Sequence, residues 1–140
     1  MEGAYKIKSG QLVDMSAQQL LDCTNSYGNR GCYGGLMTNC YSYLKGAKLQ
    51  SWSSYPYTGR QGACRYNPSQ GIVGTRGFVN LPRNDPNALL KAVNIQPVSI
   101  AIASSSSYYR FYRSGIMNSS SCGTRVDHAV LVVGYGTENG

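Results

Sequence analysis

Cys122-Gly123-Thr124-Arg125-Val126-Asp127-His128-Ala129-Val130-Leu131-Val132-Val133-Gly134-Tyr135-Gly136 is the stretch that decides how this chain is read. It contains the only histidine in 140 residues, placed at the mouth of an apolar run, Ala129 to Val133, too short for anything but a buried strand. A histidine entering a strand behind an aspartate and a cysteine invites a role as general base, because imidazole exchanges protons near neutral pH. The plainer alternative is a histidine that only hydrogen-bonds at a strand end. Asp127 is its neighbour in an extended strand, so the two side chains point to opposite faces. Asp127 therefore reads as a nearby charge or a structural hydrogen-bonder.

Moving outward, Val98-Ser99-Ile100-Ala101-Ile102 alternates apolar and small residues after Pro97. Everything beyond Pro97 accordingly reads as sheet, with Ser104 to Ser107 a solvated turn between strands. The first half is helical instead. Glu2 to Lys8 is the tail of a helix stopped by Gly10, and Ser16 to Gln19 has the S-x-x-Q form of a capping box before Leu20 and Leu21. Leu36 to Lys45 is a helix with Cys40, Tyr43 and Leu44 inward and Gly46 as its stop. Asp85-Pro86 supplies an N-cap and a first-turn proline for a helix over Asn87 to Val93. Helices first and strands later make an α+β organisation.

Composition narrows the class. A chain of 140 residues is one ordinary domain or part of a larger one. The 13 Lys+Arg against 6 Asp+Glu leave a net charge of +7. The basic residues are spread singly from Lys6 to Arg125, which makes a solvated surface rather than a nucleic-acid motif. No stretch approaches the ~20 apolar residues of a membrane span, and no signal-peptide core follows Met1. Twelve tyrosines, 17 glycines and five cysteines suit a loop-rich secreted protein. Five is odd, which in an oxidising compartment means a free thiol or a partner elsewhere.

Six segments then stand in order. They are Glu2-Gly3-Ala4-Tyr5-Lys6-Ile7, Ser16-Ala17-Gln18-Gln19-Leu20-Leu21-Asp22-Cys23, Gly31-Cys32-Tyr33-Gly34-Gly35, Tyr55-Pro56-Tyr57, Gln96-Pro97-Val98-Ser99 and Asp127-His128-Ala129-Val130. Together they resemble the papain-like cysteine peptidases, the cathepsin group in particular, over essentially the whole chain. The resemblance implies an incomplete papain-like two-domain fold. Residues 1–81 would form a helical left domain lacking the start of its central helix, and 82–140 part of the right-hand β-barrel domain.

The resemblance also assigns roles. His128 would be the catalytic imidazole, paired with a cysteine in a C-G-S-C-W motif. That motif falls about nine residues before Met1, which puts His128 within the roughly 130 to 150 residues that separate the pair. The oxyanion glutamine and the asparagine of an N-S-W-G segment also fall outside, so these 140 residues alone are expected to be inactive. Gly34 and Gly35 would let substrate backbone lie alongside as an antiparallel strand, although a turn that merely needs glycine is the alternative. Leu36, Met37, Ala101 and Ala129 match the walls of the pocket for the residue two before the cut, or are plain core. Arg30 sits on the rim near the glycines.

The short link from Gly46 to Tyr55 lacks the inserted loop of a dipeptide-removing member, which favours an endopeptidase. Cys23 and Cys64 match a family disulfide. Cys32 and Cys122 match cysteines whose partners lie outside the chain, and Cys40 a packed free thiol. No cofactor or metal is implied. The partners implied are protein and peptide substrates, a propeptide and cystatin-type inhibitors, with no nucleic acid and no membrane. The implied location is lysosomal or extracellular. The alternative is a non-catalytic or repurposed relative, a protease-like binding protein or a silicatein-like one with serine for the nucleophile.

Overall fold

In the computed structural model, which describes residues 1–139, Ser16 caps the helix that its position predicts. Its Oγ accepts the N–H of Gln19 at 2.9 Å at the start of α2 (Ala17–Cys23). The other half of the capping box is not used. Gln19 is fully buried and turns away from the helix end, donating to Tyr43 Oη at 2.9 Å and the Lys48 carbonyl at 3.0 Å. Its Oε1 accepts the N–H of Gln50 at 2.7 Å. Three long-range partners outweigh one local cap, because a buried amide left unpaired costs ~1–3 kcal/mol.

The chain divides into two units, Met1–Asn84 and one beginning at Asp85. In the first, α1 (Glu2–Ser9) precedes α2 and ends where Gly10 takes the left-handed conformation at φ 75°. Glycine adopts that conformation without the steric cost other residues carry. α3 (Met37–Leu44) follows. Met15, Cys23, Tyr43, Leu44 and Leu49 form the buried core, with Tyr5, Leu20, Tyr66 and Val73 packed against it.

A polar layer lies beside that core. Asp22 is 5% exposed and accepts from Gln18 Nε2 at 2.8 Å, Tyr55 Oη at 2.8 Å and the Gly62 N–H at 2.7 Å. Next to it, Cys23 is bonded to Cys64 across 41 residues, the pairing that the resemblance implies. Bond and carboxylate tie the same two segments together.

In the second unit, Asp85 Oδ1 accepts the Ala88 N–H at 2.9 Å and Pro86 opens α4 (Pro86–Val93), as expected. β1 (Val98–Ile102) pairs antiparallel with β2 (His128–Val132), Val98 opposite Val132 and Ile102 opposite His128. Directly opposed residues share a face. One face therefore carries Val98, Ile100, Ile102, His128, Val130 and Val132; the other carries Ser99, Ala101, Ala129 and Leu131.

Three expectations for this half need correction. The region after Pro97 is not all sheet: β1 and β2 are its only strands among the described residues, with a helix and a 3-10 turn between them. The Ala129–Val133 run is not buried, since Leu131 is 54% and Val133 75% exposed. α4 lies against β1, but a single short helix cannot cover both faces of a two-stranded sheet. Finally, Ser104 to Ser107 is more than a solvated turn. Ser106 Oγ accepts the Tyr109 N–H at 3.3 Å and caps α5 (Ser107–Arg110), serine being a strong N-cap residue.

Candidate active site

His128 is the first residue of β2, where the ladder with Ile102 holds its backbone in place and the side chain stays exposed. It lines an open cleft of about 520 Å³ with Ser104, Ser105, Tyr109, Arg110 and Asp127. The loop after β1 contributes Ser104 and Ser105 to its lining, and α5 contributes Tyr109 and Arg110. An imidazole on the wall of an open cleft can take a proton from, or give one to, a group that enters it.

Asp127 extends the ladder by one bond, its N–H donating to the Ile102 carbonyl at 2.9 Å. Its Oδ1 accepts both the N–H of Ser104 at 2.7 Å and the Ser104 hydroxyl at 2.9 Å. Asp127 thus secures the loop beside His128. The Ser104 N–H, with the hydroxyls of Ser105 and Ser104, holds the carboxyl below the ordinary carboxylate range by stabilising its charged form. An acid with a lowered folded pKa contributes its anchoring fully above the unfolded value and loses it only as the pH falls through the folded one. The Ser104 amide resonance is therefore expected to stay unchanged through the ordinary aspartate range near ~3.9 and to move only in stronger acid. A Ser104 shift centred on the ordinary value would show that the anchor is absent.

The segment with the two glycines lies in the first unit. Arg30 precedes a 3-10 turn at Gly31–Tyr33, and its N–H donates to the Gly34 carbonyl at 2.8 Å, leaving the exposed guanidinium on the outside. Gly34 has φ 104°, a conformation that L side chains rarely adopt. Gly35 is needed for a different reason: a Cβ there would overlap the side chain of Asn29. The exposed backbone of Gly35 makes no hydrogen bond among the described residues. Leu36 is 62% exposed, and Met37 opens α3 half-buried.

Asn29 organises this corner, and sequence reasoning missed it. Its Oδ1 accepts the Leu36 N–H at 2.8 Å and Asn39 Nδ2 at 3.0 Å. Its Nδ2 donates to Thr24 Oγ1 at 2.9 Å and to Cys40 Sγ at 3.3 Å. Burial pushes the Cys40 thiol up, with the Asn29 amide pulling the other way, so Cys40 is a packed and poorly ionised thiol. Among the described residues Cys32, exposed, and Cys122, half-buried, form no disulfide.

Of the residues singled out in the sequence, Arg30, Gly34, Gly35, Leu36 and Met37 thus form one corner of the first unit. Ala101 and Ala129 are exposed register partners in the sheet of the second, on the face opposite His128. Ser104, Tyr109 and Arg110, which share the cleft with His128, were not foreseen. Only the serine run carried any local signal for them.

Comparison with known proteins agrees with this architecture. The family described as papain family cysteine protease matches residues 1–140. Mouse cathepsin S is 42% identical over all of this chain and 42% of its own length. The germination-specific cysteine protease 1 of Arabidopsis thaliana is 43% identical over all of this chain and 37% of its own. The chain spans about two fifths of the length of these curated relatives. Among solved structures, digestive procathepsin L 3 from the larval midgut of Tenebrio molitor superposes with a TM-score of 0.91 at 38% identity, over 99% of this chain and 46% of that one. The Carica candamarcensis cysteine protease CMS1MS2, solved in complex with E-64, gives 0.86 at 40% identity over 96% and 62%.

Proposed function

The chain belongs to the papain family of cysteine proteases, and on that premise we propose that the whole protein is an endopeptidase using His128 as its catalytic imidazole. The observation that carries the proposal is the position of His128, exposed at the head of β2 on the wall of an open cleft. The C-G-S-C-W segment of the nucleophile does not occur in these 140 residues. The thiol is proposed to come from the remainder of the whole protein.

The chemistry follows from the pairing. A free thiol has a pKa near ~8.5, and a histidine partner lowers it to ~3–4 in this family, giving a thiolate and an imidazolium. The thiolate attacks the peptide carbonyl, and the imidazolium passes its proton to the leaving amine. Neutral again, the imidazole takes a proton from water as the acyl-enzyme is hydrolysed. Asp127 has no part in this transfer, because its carboxylate is engaged by Ser104.

Met1–Asn84 corresponds on this reading to the helical domain, and the unit from Asp85 to the barrel domain. The exposed backbone of Gly35 is suited to pair with an extended substrate. By the family resemblance Leu36 and Met37 in the first unit, and Ala101 and Ala129 in the second, are each proposed to favour Leu, Val or Phe two residues before the cut. Arg30 would disfavour Lys or Arg one position earlier, by severalfold at most, since a rim charge in water is worth ~0.2–1 kcal/mol. The Cys23–Cys64 bond suits a lysosomal or extracellular location. Relatives named as procathepsins support a propeptide, and cystatin-type inhibitors are the partners that the family suggests.

Profiling the whole protein on a positional library of fluorogenic peptides tests the proposal. Hydrolysis that E-64 abolishes, with apolar residues preferred two before the cut, is the expected result. A polypeptide of residues 1–140 alone should give no turnover. A whole protein without peptidase activity, or with activity that E-64 leaves intact, would refute the assignment.

A further inference from the structure

Asn118-Ser119-Ser120 is the one stretch of these 140 residues with the form N-x-[ST] in which the middle residue is not proline. Asn67-Pro68-Ser69 has the same outer residues, but its central proline bars it. Asn118 is exposed and lies in irregular chain between the Gly115 turn and the 3-10 turn Ser120–Cys122. Neither the Asn118 amide nor the Ser120 hydroxyl is held by a hydrogen bond among the described residues. The only local side-chain bond is made by the middle residue, whose Oγ accepts the Ser121 N–H at 3.2 Å. The acceptor amide and the hydroxyl two residues on are thus both presented from a non-helical, solvent-facing segment.

A second and independent observation concerns the compartment. Cys23 and Cys64 are disulfide-bonded, and such bonds persist where the secretory pathway oxidises thiols, which is also where glycans are added to asparagine. We propose that Asn118 is an N-glycosylation site of this protein. The co-reactant is an oligosaccharide linked through a diphosphate to a lipid carrier. A bond forms between Asn118 Nδ2 and C1 of the first sugar, the C1–O bond to the diphosphate breaks, and the amide proton passes by way of the transferase base to solvent. The lipid diphosphate leaves with the bonding electrons. Asn118 follows Ile116 and Met117, which are 69% and 40% exposed, so a bulky hydrated glycan would sit beside an apolar stretch and raise its solubility.

The test is peptide mapping of the whole protein secreted from eukaryotic cells, after release of N-glycans by an amidase in heavy-oxygen water. That treatment converts a glycosylated asparagine to labelled aspartate. The expected result is the label at position 118 and none at Asn67. Asn118→Gln and Ser120→Ala should each remove one glycan from the electrophoretic mobility, while Ser120→Thr keeps it. The map is read on the unmodified sequence, so a variant that fails to fold does not blur the outcome. An Asn118 peptide recovered wholly without label would overturn the proposal.

Discussion

Replacing His128 with alanine in the whole protein is expected to lower kcat for peptide hydrolysis by about 10⁶-fold, the loss seen when the histidine of a comparable serine protease is removed. On the proposed function the effect is this large because two steps would depend on one side chain. Without the imidazole the nucleophile stays a thiol at working pH, and the leaving amine has no proton donor. Stability should change little. His128 is exposed at a strand end and its ladder bonds are backbone ones, so the variant should unfold within ~0.5 kcal/mol of the parent. Kinetics on fluorogenic peptides together with urea unfolding separate these effects. A variant that keeps within tenfold of parental kcat would remove His128 from the mechanism.

The largest structural effect is expected at the junction of Cys23, Cys64 and Asp22. Opening the disulfide with paired alanines at 23 and 64 frees a loop of 41 residues and should cost ~4 kcal/mol on the chain-entropy account. Asp22→Ala leaves Tyr55 Oη, Gln18 Nε2 and the Gly62 N–H without their shared acceptor. At ~1–3 kcal/mol for each buried group left unpaired, its cost is comparable. Gly62 lies two residues from Cys64 and Asp22 one from Cys23, so both changes release the same segment. Their combination should therefore cost less than the two separately. A double-mutant cycle in urea reads this directly, and strict additivity would show that bond and carboxylate act independently.

What could be read from the sequence was what is local. Ser16, Gly10 and Asp85-Pro86 act within one helical turn of themselves, and each stands where its chemistry places it. The Cys23–Cys64 pairing came only with the family resemblance, because spacing alone does not choose among partners. What was misread depended on contacts far along the chain. Gln19 follows Ser16 by three residues, as in a capping box, yet its partners lie 24 to 31 residues away at Tyr43, Lys48 and Gln50. Ser104 looked like an ordinary turn residue because Asp127, which it anchors, is 23 residues downstream. The apolar run Ala129–Val133 has the composition of a buried strand, and composition does not say what covers it. Asn29 left no signal at all: its importance lies in four partners that the fold assembles around it.

The measurement that bears most directly on His128 as the partner of a cysteine nucleophile is the pH dependence of thiol alkylation in the whole protein. Iodoacetamide reacts with thiolate, and the thiol of interest is the one that E-64 protects. With His128 present, that thiol should remain reactive down to about pH 4, far below the ~8.5 of an unpaired cysteine. In His128→Ala the same thiol should lose reactivity as the pH falls below its ordinary range. Identical profiles for the two proteins, each following an ordinary thiol, would contradict the pairing on which the proposed function rests.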